Sequence, residues 1–320
     1  MKVFITRPID QEGIESLLKR DSYEVEINPQ DEVLSKSDLI AKAKGCCALV
    51  TLLTDQVDKD VIDALLPELK IIANYAVGFD NIDVCYAKEK GVVVTNTPEV
   101  MTQAVAEHAI GLLLACSRRI VEGDRYVREN KYDLWEPNLL IGPEIAGKTI
   151  GIIGIGRIGQ ALSQIAYHGF GMKILYSDIN RNEEVERNFQ ADHVSLNTLL
   201  ERSDFVSIHV PLLDSTRHMI SHEEFKVMKK SAILVNTARG AIVDEKALLE
   251  ALEKKEIFAA GLDVFEREGE VNPEFFKLDN VVLTPHVASA TLEARKSMGE
   301  CVSENIIEVL AGRPAKCPVN

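Results

Sequence analysis

No apolar run in the 320-residue chain reaches the ~20 residues that a membrane-spanning helix needs. The longest candidate, AIGLLLAC, is bracketed by His108 and by Arg118 and Arg119. The six cysteines contain no C-x-x-C pair, and Cys46 and Cys47 are adjacent, a poor geometry for an ordinary disulfide. A reduced, cytoplasmic protein is expected. The opening MKVFITRPID has one Lys, a short apolar run and then Arg and Pro. It reads as a first strand and not as a secretory signal. Positive charge is in deficit, with 36 Lys and Arg against 50 Asp and Glu and a formal net charge of −14. A polyanion repels nucleic acid and acidic membrane surfaces, so neither is expected as a partner. A small anionic substrate stays open, because a pocket can be locally positive on an acidic protein. Internal repeats, low-complexity tracts and a disordered tail are also missing.

What is present is alternation. KVFIT, EVEIN, CALVTLL, KIIANY and GVVVTN read as strands, and the stretches between them read as helices ending in Gly, Pro or basic residues. Five strands with helical crossovers predict a parallel-sheet domain. NTPEVMTQAVAEHAIGLLLACSRRIVEGDRYVREN then reads as one long helical region, too apolar for a free surface helix and expected between two domains. KYDLWEPNLLIGPEIAG follows with the only Trp, Trp135. It predicts an extended loop of the kind that wraps a partner or a second domain. A second alternating series starts at Lys148, with strands at KTIGIIG, MKILYSD, HVS, DFVSIHV, AILVNTA, FAAGLDVF and NVVLTPH. A last helix, TLEARKSMGECVSENIIEVLAGRP, stops at Gly312 and Pro314.

KTIGIIGIGRIGQAL sets Gly154, Gly156 and Gly159 in G-x-G-x-x-G spacing. The motif follows a strand, opens a helix, and is answered by Asp178 at the end of the next strand, nineteen residues after Gly159. That context defines a dinucleotide site. Gly154 permits the tight turn, Gly156 the approach of pyrophosphate, and Gly159 close packing of helix on sheet. The helix N-terminus offers free N–H donors to phosphate. Asp178 can accept from the ribose hydroxyls and repels a 2′-phosphate, so NAD is expected over NADP. Arg181 is the residue that could favour NADP.

Ligands of an open parallel sheet sit beyond the carboxyl ends of its strands. AILVNTARG delivers Arg239 to that edge, AAGLDVFERE delivers Asp263, Glu266 and Glu268, NVVLTPH delivers His286, and VSIHVP delivers His209 and Pro211. Reduction of a carbonyl needs hydride at carbon and a proton at oxygen. Histidine suits the proton step, with an ordinary pKa of ~6.5. A neighbouring carboxylate favours the imidazolium, and an arginine fork suits a substrate carboxylate. Together these parts describe a 2-oxo acid reductase.

NYAVGFDNID, GIIGIGRIGQ, HVPLLDSTRHMI, VNTARGAIVDEKAL, AAGLDVFERE and TPHVASAT resemble, in order and over essentially the whole chain, segments of the D-isomer-specific 2-hydroxyacid dehydrogenases. The resemblance implies an α/β fold of two doubly wound, Rossmann-like parallel-sheet domains with a cleft between them. The substrate-binding cap would be 1–98 with 288–320. The NAD-binding domain would be 99–287, with a dimerisation segment at 99–147, so a homodimer is implied. Arg239 would bind substrate, His286 would be the acid/base, and a Glu five residues past Asp263, Glu268, would orient it. Where the family usually has Pro after that Glu, this chain has Gly269, which loosens the loop. Asp263 would contact the nicotinamide side of the cofactor. The resemblance adds Thr102, Arg157, Ile158, Val210, Pro211, Thr216, Thr237 and Ala238 to the cofactor surface. It also implies that the backbone of Ala76, Val77 and Gly78 holds the substrate carboxylate, and that Trp135 reaches the partner's cleft. The branch that it most resembles is glyoxylate/hydroxypyruvate reductase. Asn74, Tyr75 and Ala76 stand where phosphoglycerate- and lactate-type members tend to carry Arg, so a small, uncharged substrate side chain is expected. D-lactate or another D-2-hydroxyacid dehydrogenase, phosphoglycerate dehydrogenase, and an NADH-sensing corepressor remain as alternatives.

Other residues read more plainly. His218 and His222 are four apart, but Ser221 and Glu224 form a capping box between them, so no metal site is expected. His108 and His168 read as packed or solvated helix residues, and Glu266 and Glu270 as solvated.

Overall fold

Each β-rich run forms a strand, as a computed structural model describing residues 1–320 shows. The chain divides into two units, Met1–Met101 with Ala290–Asn320, and Thr102–Ser289. The first holds β1 (Lys2–Ile5), β2 (Glu24–Ile27), β3 (Ala48–Thr51), β4 (Ile71–Asn74) and β5 (Val93–Thr95), in the order β2-β1-β3-β4-β5. The second holds β6 (Thr149–Ile153), β7 (Lys173–Ser177), β8 (Asp192–His193), β9 (Phe205–Ile208), β10 (Ile233–Asn236), β11 (Ala259–Leu262) and β12 (Val281–Leu283). Their order is β12-β11-β10-β9-β6-β7-β8. All pairings in both sheets are parallel.

A strand buried on both faces needs apolar residues at every position. In the larger sheet, Ile150, Ile152, Ile174, Tyr176, Ile233 and Val235 feed one core, while Ile153, Leu175, Val206, Ile208 and Leu234 feed the other. Burying each such side chain contributes ~1.5–3 kcal/mol. Helices cover both faces, many opened by short polar caps. Asp58, Asn182, Ser195, Asp244 and Thr291 each accept from the first-turn amides of the helix that follows.

The expected single helix over 96–130 is two, Thr102–Ser117 and Ile120–Arg128. Arg119 takes a left-handed φ of +51° between them. Gly142 is so close that a Cβ on it would stand 1.9 Å from the Ser117 carbonyl oxygen. Helix Thr102–Ser117 packs on β10, β11 and β12 of its own unit, which accounts for its dense apolar composition. Residues 131–147 carry no helix or strand. The last helix, Leu292–Leu310, packs on β4 and β3 of the first unit. Its Gly299 meets Gly13, where a Cβ would lie 2.9 Å from the Gly299 Cα. No helix is long and apolar enough to cross a membrane.

Candidate active site

The turn after β6 is built by its glycines. Gly154 has φ +93°, and a Cβ on it would stand 2.8 Å from the His209 carbonyl carbon. A Cβ on Gly159 would lie 2.3 Å from the Gly154 oxygen, so helix Arg157–Phe170 can approach only without one. Gly156 is different, with nothing within 4 Å of where its Cβ would stand. It caps a helix that has no side-chain cap, so the first-turn amides near Arg157 and Ile158 are left for a ligand.

At the end of β7, Asp178 accepts from the Ile155 amide through Oδ2 (2.8 Å) and from the Asn180 amide through Oδ1 (3.1 Å). Arg181 does not face it as a spare cation. Its guanidinium forks onto Glu186, with Nη2 2.7 Å from Oε2, and the Tyr176 hydroxyl donates to the same carboxylate at 2.7 Å. Arg181 foremost, then Tyr176, hold the Glu186 carboxyl down at about 2.

Past β9, Val210 and Pro211 lead into a turn that Thr216 pins. Its hydroxyl donates to the Pro211 carbonyl (2.7 Å) and accepts from the Leu213 amide (2.8 Å). Thr216 therefore shapes this surface from behind, being only 7% exposed. Past β10, Asn236 organises Thr237, Ala238 and Arg239, with Oδ1 accepting from the Ala238 amide and Nδ2 donating to the Arg239 carbonyl. The Thr237 hydroxyl is buried with no partner in the protein. An orphaned hydroxyl and the open side of Gly156 are features that a bound dinucleotide would satisfy, so the residues present fit NAD.

Past β11 and β12, His286 and Glu268 come together. His286 sits at φ +55°, and its Nδ1 is 3.2 Å from Oε1 of Glu268. The same carboxylate oxygen accepts from the Phe265 amide at 3.3 Å. Asp263 is fully buried behind this turn. It accepts from the Thr284 hydroxyl (2.6 Å) and from the amides of Val287 (2.9 Å) and Ala288 (2.8 Å). Burial pushes its pKa up, but His108, Thr284 and the two amides outweigh that and hold it below the ordinary carboxylate value. With its oxygens so used, Asp263 builds the His286 turn.

Two further side chains have partners that the sequence did not name. His108, on the helix that Thr102 opens, is packed, with its side chain 24% exposed. Its Nε2 lies 3.0 Å from Thr284 Oγ1 and 3.4 Å from Asp263 Oδ1. Glu266 is exposed, as expected, but it is not without partners. His218 Nε2 is 2.9 Å from its Oε1, and the Glu245 amide donates to the same oxygen. Neither partner is a sequence neighbour, so no local pattern marks them. Glu270 is exposed beside Arg267, 3.8 Å away. His222 opens helix His222–Val227, with Glu224 accepting from the Ser221 amide at 3.0 Å.

In the first unit, the loop after β4 has its carbonyls tied down. Ala76 accepts from the Thr97 amide (2.9 Å), Val77 from Asn96 Nδ2 (2.8 Å) and Gly78 from Asn74 Nδ2 (2.7 Å). In trans peptides the following N–H groups, of Val77, Gly78 and Phe79, point the opposite way. Trp135, in the second unit, is 74% exposed.

A protein with this glycine turn and a proton donor at the same edge of the sheet is a dinucleotide-dependent oxidoreductase. The chain belongs to the D-isomer specific 2-hydroxyacid dehydrogenase family, whose NAD binding domain matches residues 110–288. It is 50% identical over 315 residues to a glyoxylate reductase of Thermococcus litoralis, covering 97% of this chain and 94% of that one. A solved protein of Thermus thermophilus superposes with a TM-score of 0.94 at 39% identity, covering 100% of both chains. The NAD-complexed D-isomer specific 2-hydroxyacid dehydrogenase of Lactobacillus delbrueckii ssp. bulgaricus superposes at 0.81 with 31% identity, again covering 100% of both. The protein is therefore an NAD-dependent 2-hydroxyacid dehydrogenase, acting on a small molecule.

Proposed function

We propose that the protein is a glyoxylate/hydroxypyruvate reductase, and the observation that carries this is the His286–Glu268 pair at 3.2 Å beside the Arg239 turn. Bound NADH supplies the hydride. The Arg239 guanidinium forks onto the substrate carboxylate and polarises the adjacent carbonyl. In the first unit, the backbone of Ala76, Val77 and Gly78 is assigned to substrate binding, which makes Met1–Met101 with Ala290–Asn320 the substrate-binding cap. His286, protonated and oriented by Glu268, gives its proton to the carbonyl oxygen as hydride arrives at carbon. The products are NAD+ and the 2-hydroxy acid, which is achiral glycolate from glyoxylate and the D-isomer of glycerate from hydroxypyruvate.

A small, uncharged substrate side chain follows from the cap loop itself. Asn74 is fully buried, and Tyr75 is 5% exposed with its hydroxyl on the Arg295 carbonyl, so neither offers a cation to a phosphate. Similarity to glyoxylate reductases supports the same reading. The preference for NAD over NADP rests on Asp178 and on the pairing of Arg181 with Glu186. Six free cysteines suit a cytoplasmic place. A homodimer through the segment 99–147, with Trp135 reaching the partner's site, belongs to this proposal.

The experiment is an NADH-oxidation panel with glyoxylate, hydroxypyruvate, pyruvate, phenylpyruvate and phosphohydroxypyruvate. Glyoxylate and hydroxypyruvate are expected to give the highest kcat/KM, and His286→Ala to lower it by roughly 10²–10⁴-fold. Preference for the phosphorylated or aromatic acid would overturn the substrate assignment. Absence of turnover would favour a cofactor-sensing role.

A further inference from the structure

Glu268 stands at the free end of a segment that needs an anchor. After β11 the chain runs from Asp263 through Phe265 and Glu266 to a turn closed by the Glu270 amide on the Arg267 carbonyl (3.0 Å). Gly269 sits in that turn at φ +85°, a conformation closed to proline. The usual proline is therefore incompatible with this turn, and stiffness must come from elsewhere.

Glu266 is the place where it comes from. Its Oε1 accepts from the Glu245 amide at 3.0 Å, while Glu245 Oε1 accepts from the Glu266 amide at 2.7 Å. The two residues thus hold one another through paired backbone-to-side-chain bonds. Glu245 is itself fixed, being the first residue of helix Glu245–Glu253, which Asp244 caps. His218 closes the third side, 2.9 Å from the same Glu266 oxygen. The His218 amide donates to the Ala241 carbonyl at 2.9 Å, in the short turn that follows Arg239. Gly240 lies so close beneath that a Cβ on it would stand 1.9 Å from the Phe265 carbonyl carbon. The charged groups facing this segment are therefore His218, Asp244, Glu245, Arg239, Glu268 and His286, with Arg267 and Glu270 outside in solvent.

We propose that Glu266 is a positioning residue for proton transfer, locking the Phe265–Glu268 segment to helix Glu245–Glu253 and His218 so that Glu268 is presented to His286. The proposal rests on the reading of His286 and Glu268 as the proton-transfer pair. Burial foremost, then the charges of Glu266 and Glu268, push the Glu245 carboxyl above its ordinary value, which fits a crowded acidic junction held by geometry.

The test compares the pH profiles of kcat for Glu266→Ala, Glu266→Gln, Glu268→Gln and the double variant Glu266→Ala/Glu268→Gln, with Glu270→Gln as control. Reduction needs a proton donor, so kcat falls on the alkaline side. Weakening the hold of Glu268 on His286 should bring that fall to lower pH. Glu266→Ala is expected to move the alkaline limb part of the way that Glu268→Gln moves it. It should also lower kcat roughly tenfold while KM for NADH stays put, since displaced catalytic groups cost ~10–10² in rate. Glu266→Gln keeps an acceptor for the Glu245 amide and should restore most of kcat. In the Glu268→Gln background, Glu266→Ala should add nothing. A Glu266→Ala profile that superposes on the parent, or an equal loss with and without Glu268, would overturn the proposal. If Glu266→Ala fails to fold by circular dichroism, Glu245→Ala reads the same lock from its other half, with a partial shift expected and an unchanged profile counting against. A null result with Glu268→Gln and His286→Ala as well would strike the reading of the site itself, which separates the two failures.

Discussion

His209 shows what one residue at a strand end does to the pH response of the fold. It is half-buried after β9, with Nε2 2.8 Å from Ser207 Oγ, and loss of hydration pushes its pKa down to about 4. The depressed value means that the folded state refuses a proton that the unfolded chain accepts. Above pH ~6.5 the ring is neutral in both states and adds no pH dependence. As pH falls from there toward 4 the unfolded state gains protons and stability declines, by at most about 3 kcal/mol. Urea midpoints at pH 7.5 and 4.5 should therefore differ less for His209→Gln than for the parent. Equal losses would show that this ring is not the source. His209 was legible as a strand-end residue, and so were Arg239, Glu268 and His286, because each follows an apolar run by a fixed short count. The pairings of His108 and Glu266 were not, because their partners, Asp263 and His218, arrive from distant segments.

The elements themselves were largely written in the pattern, since strands buried on both faces must be apolar throughout and Gly, Pro and short polar caps punctuate them. The helix break at Arg119 escaped because no Gly or Pro marks it locally; Gly142, from a later loop, packs against the Ser117 carbonyl at that point. The meeting of β7 with helix Glu183–Phe189 carries a prediction of its own. Arg181 leads into that helix, and Glu186 within it takes the guanidinium as a fork, leaving Asp178 as the group proposed to meet the cofactor ribose. The parent is expected to favour NADH. Glu186→Gln weakens the fork and should raise kcat/KM with NADPH. Adding Asp178→Ser, which removes the repelling carboxylate, should raise it by a further ~10–100-fold, the size of a charge-assisted hydrogen bond gained and a repulsion lost. Parallel NADH and NADPH titrations of the three proteins decide it. Equal values with the two cofactors in the parent would remove Asp178 as the discriminating group.

At the scale of the whole molecule, the second unit carries an apolar surface that its own core does not claim. Helix Ile120–Arg128 buries none of its residues, although Ile120 and Val127 are 55% and 59% exposed. The loop behind it exposes Tyr132 (55%), Leu134 (66%), Trp135 (74%) and Ile141 (61%). Soluble monomers rarely leave so many large apolar side chains together along one stretch of chain, and such a stretch marks an interface. Leu134 and Trp135 sit in a segment without helix or strand. In the proposed dimer, a second copy would offer the same stretch back across a two-fold axis, a self-complementary and closed contact. A stable dimer buries ~1,200–2,000 Å² in total, within reach of one helix and a wrapping loop from each copy. Light scattering on the eluting peak should therefore give twice the chain mass. Leu134→Asp, or Val127→Glu on the helix, should shift the equilibrium toward the single chain, because each places a charge where an apolar contact is lost and no partner is supplied. If Trp135 completes the partner's site, dissociation by Leu134→Asp should raise KM for the oxo acid while NADH binding holds. A parent that elutes as a single chain at micromolar concentration would remove the dimer, and a dissociated variant with unchanged KM would remove Trp135 from the site while leaving the dimer in place.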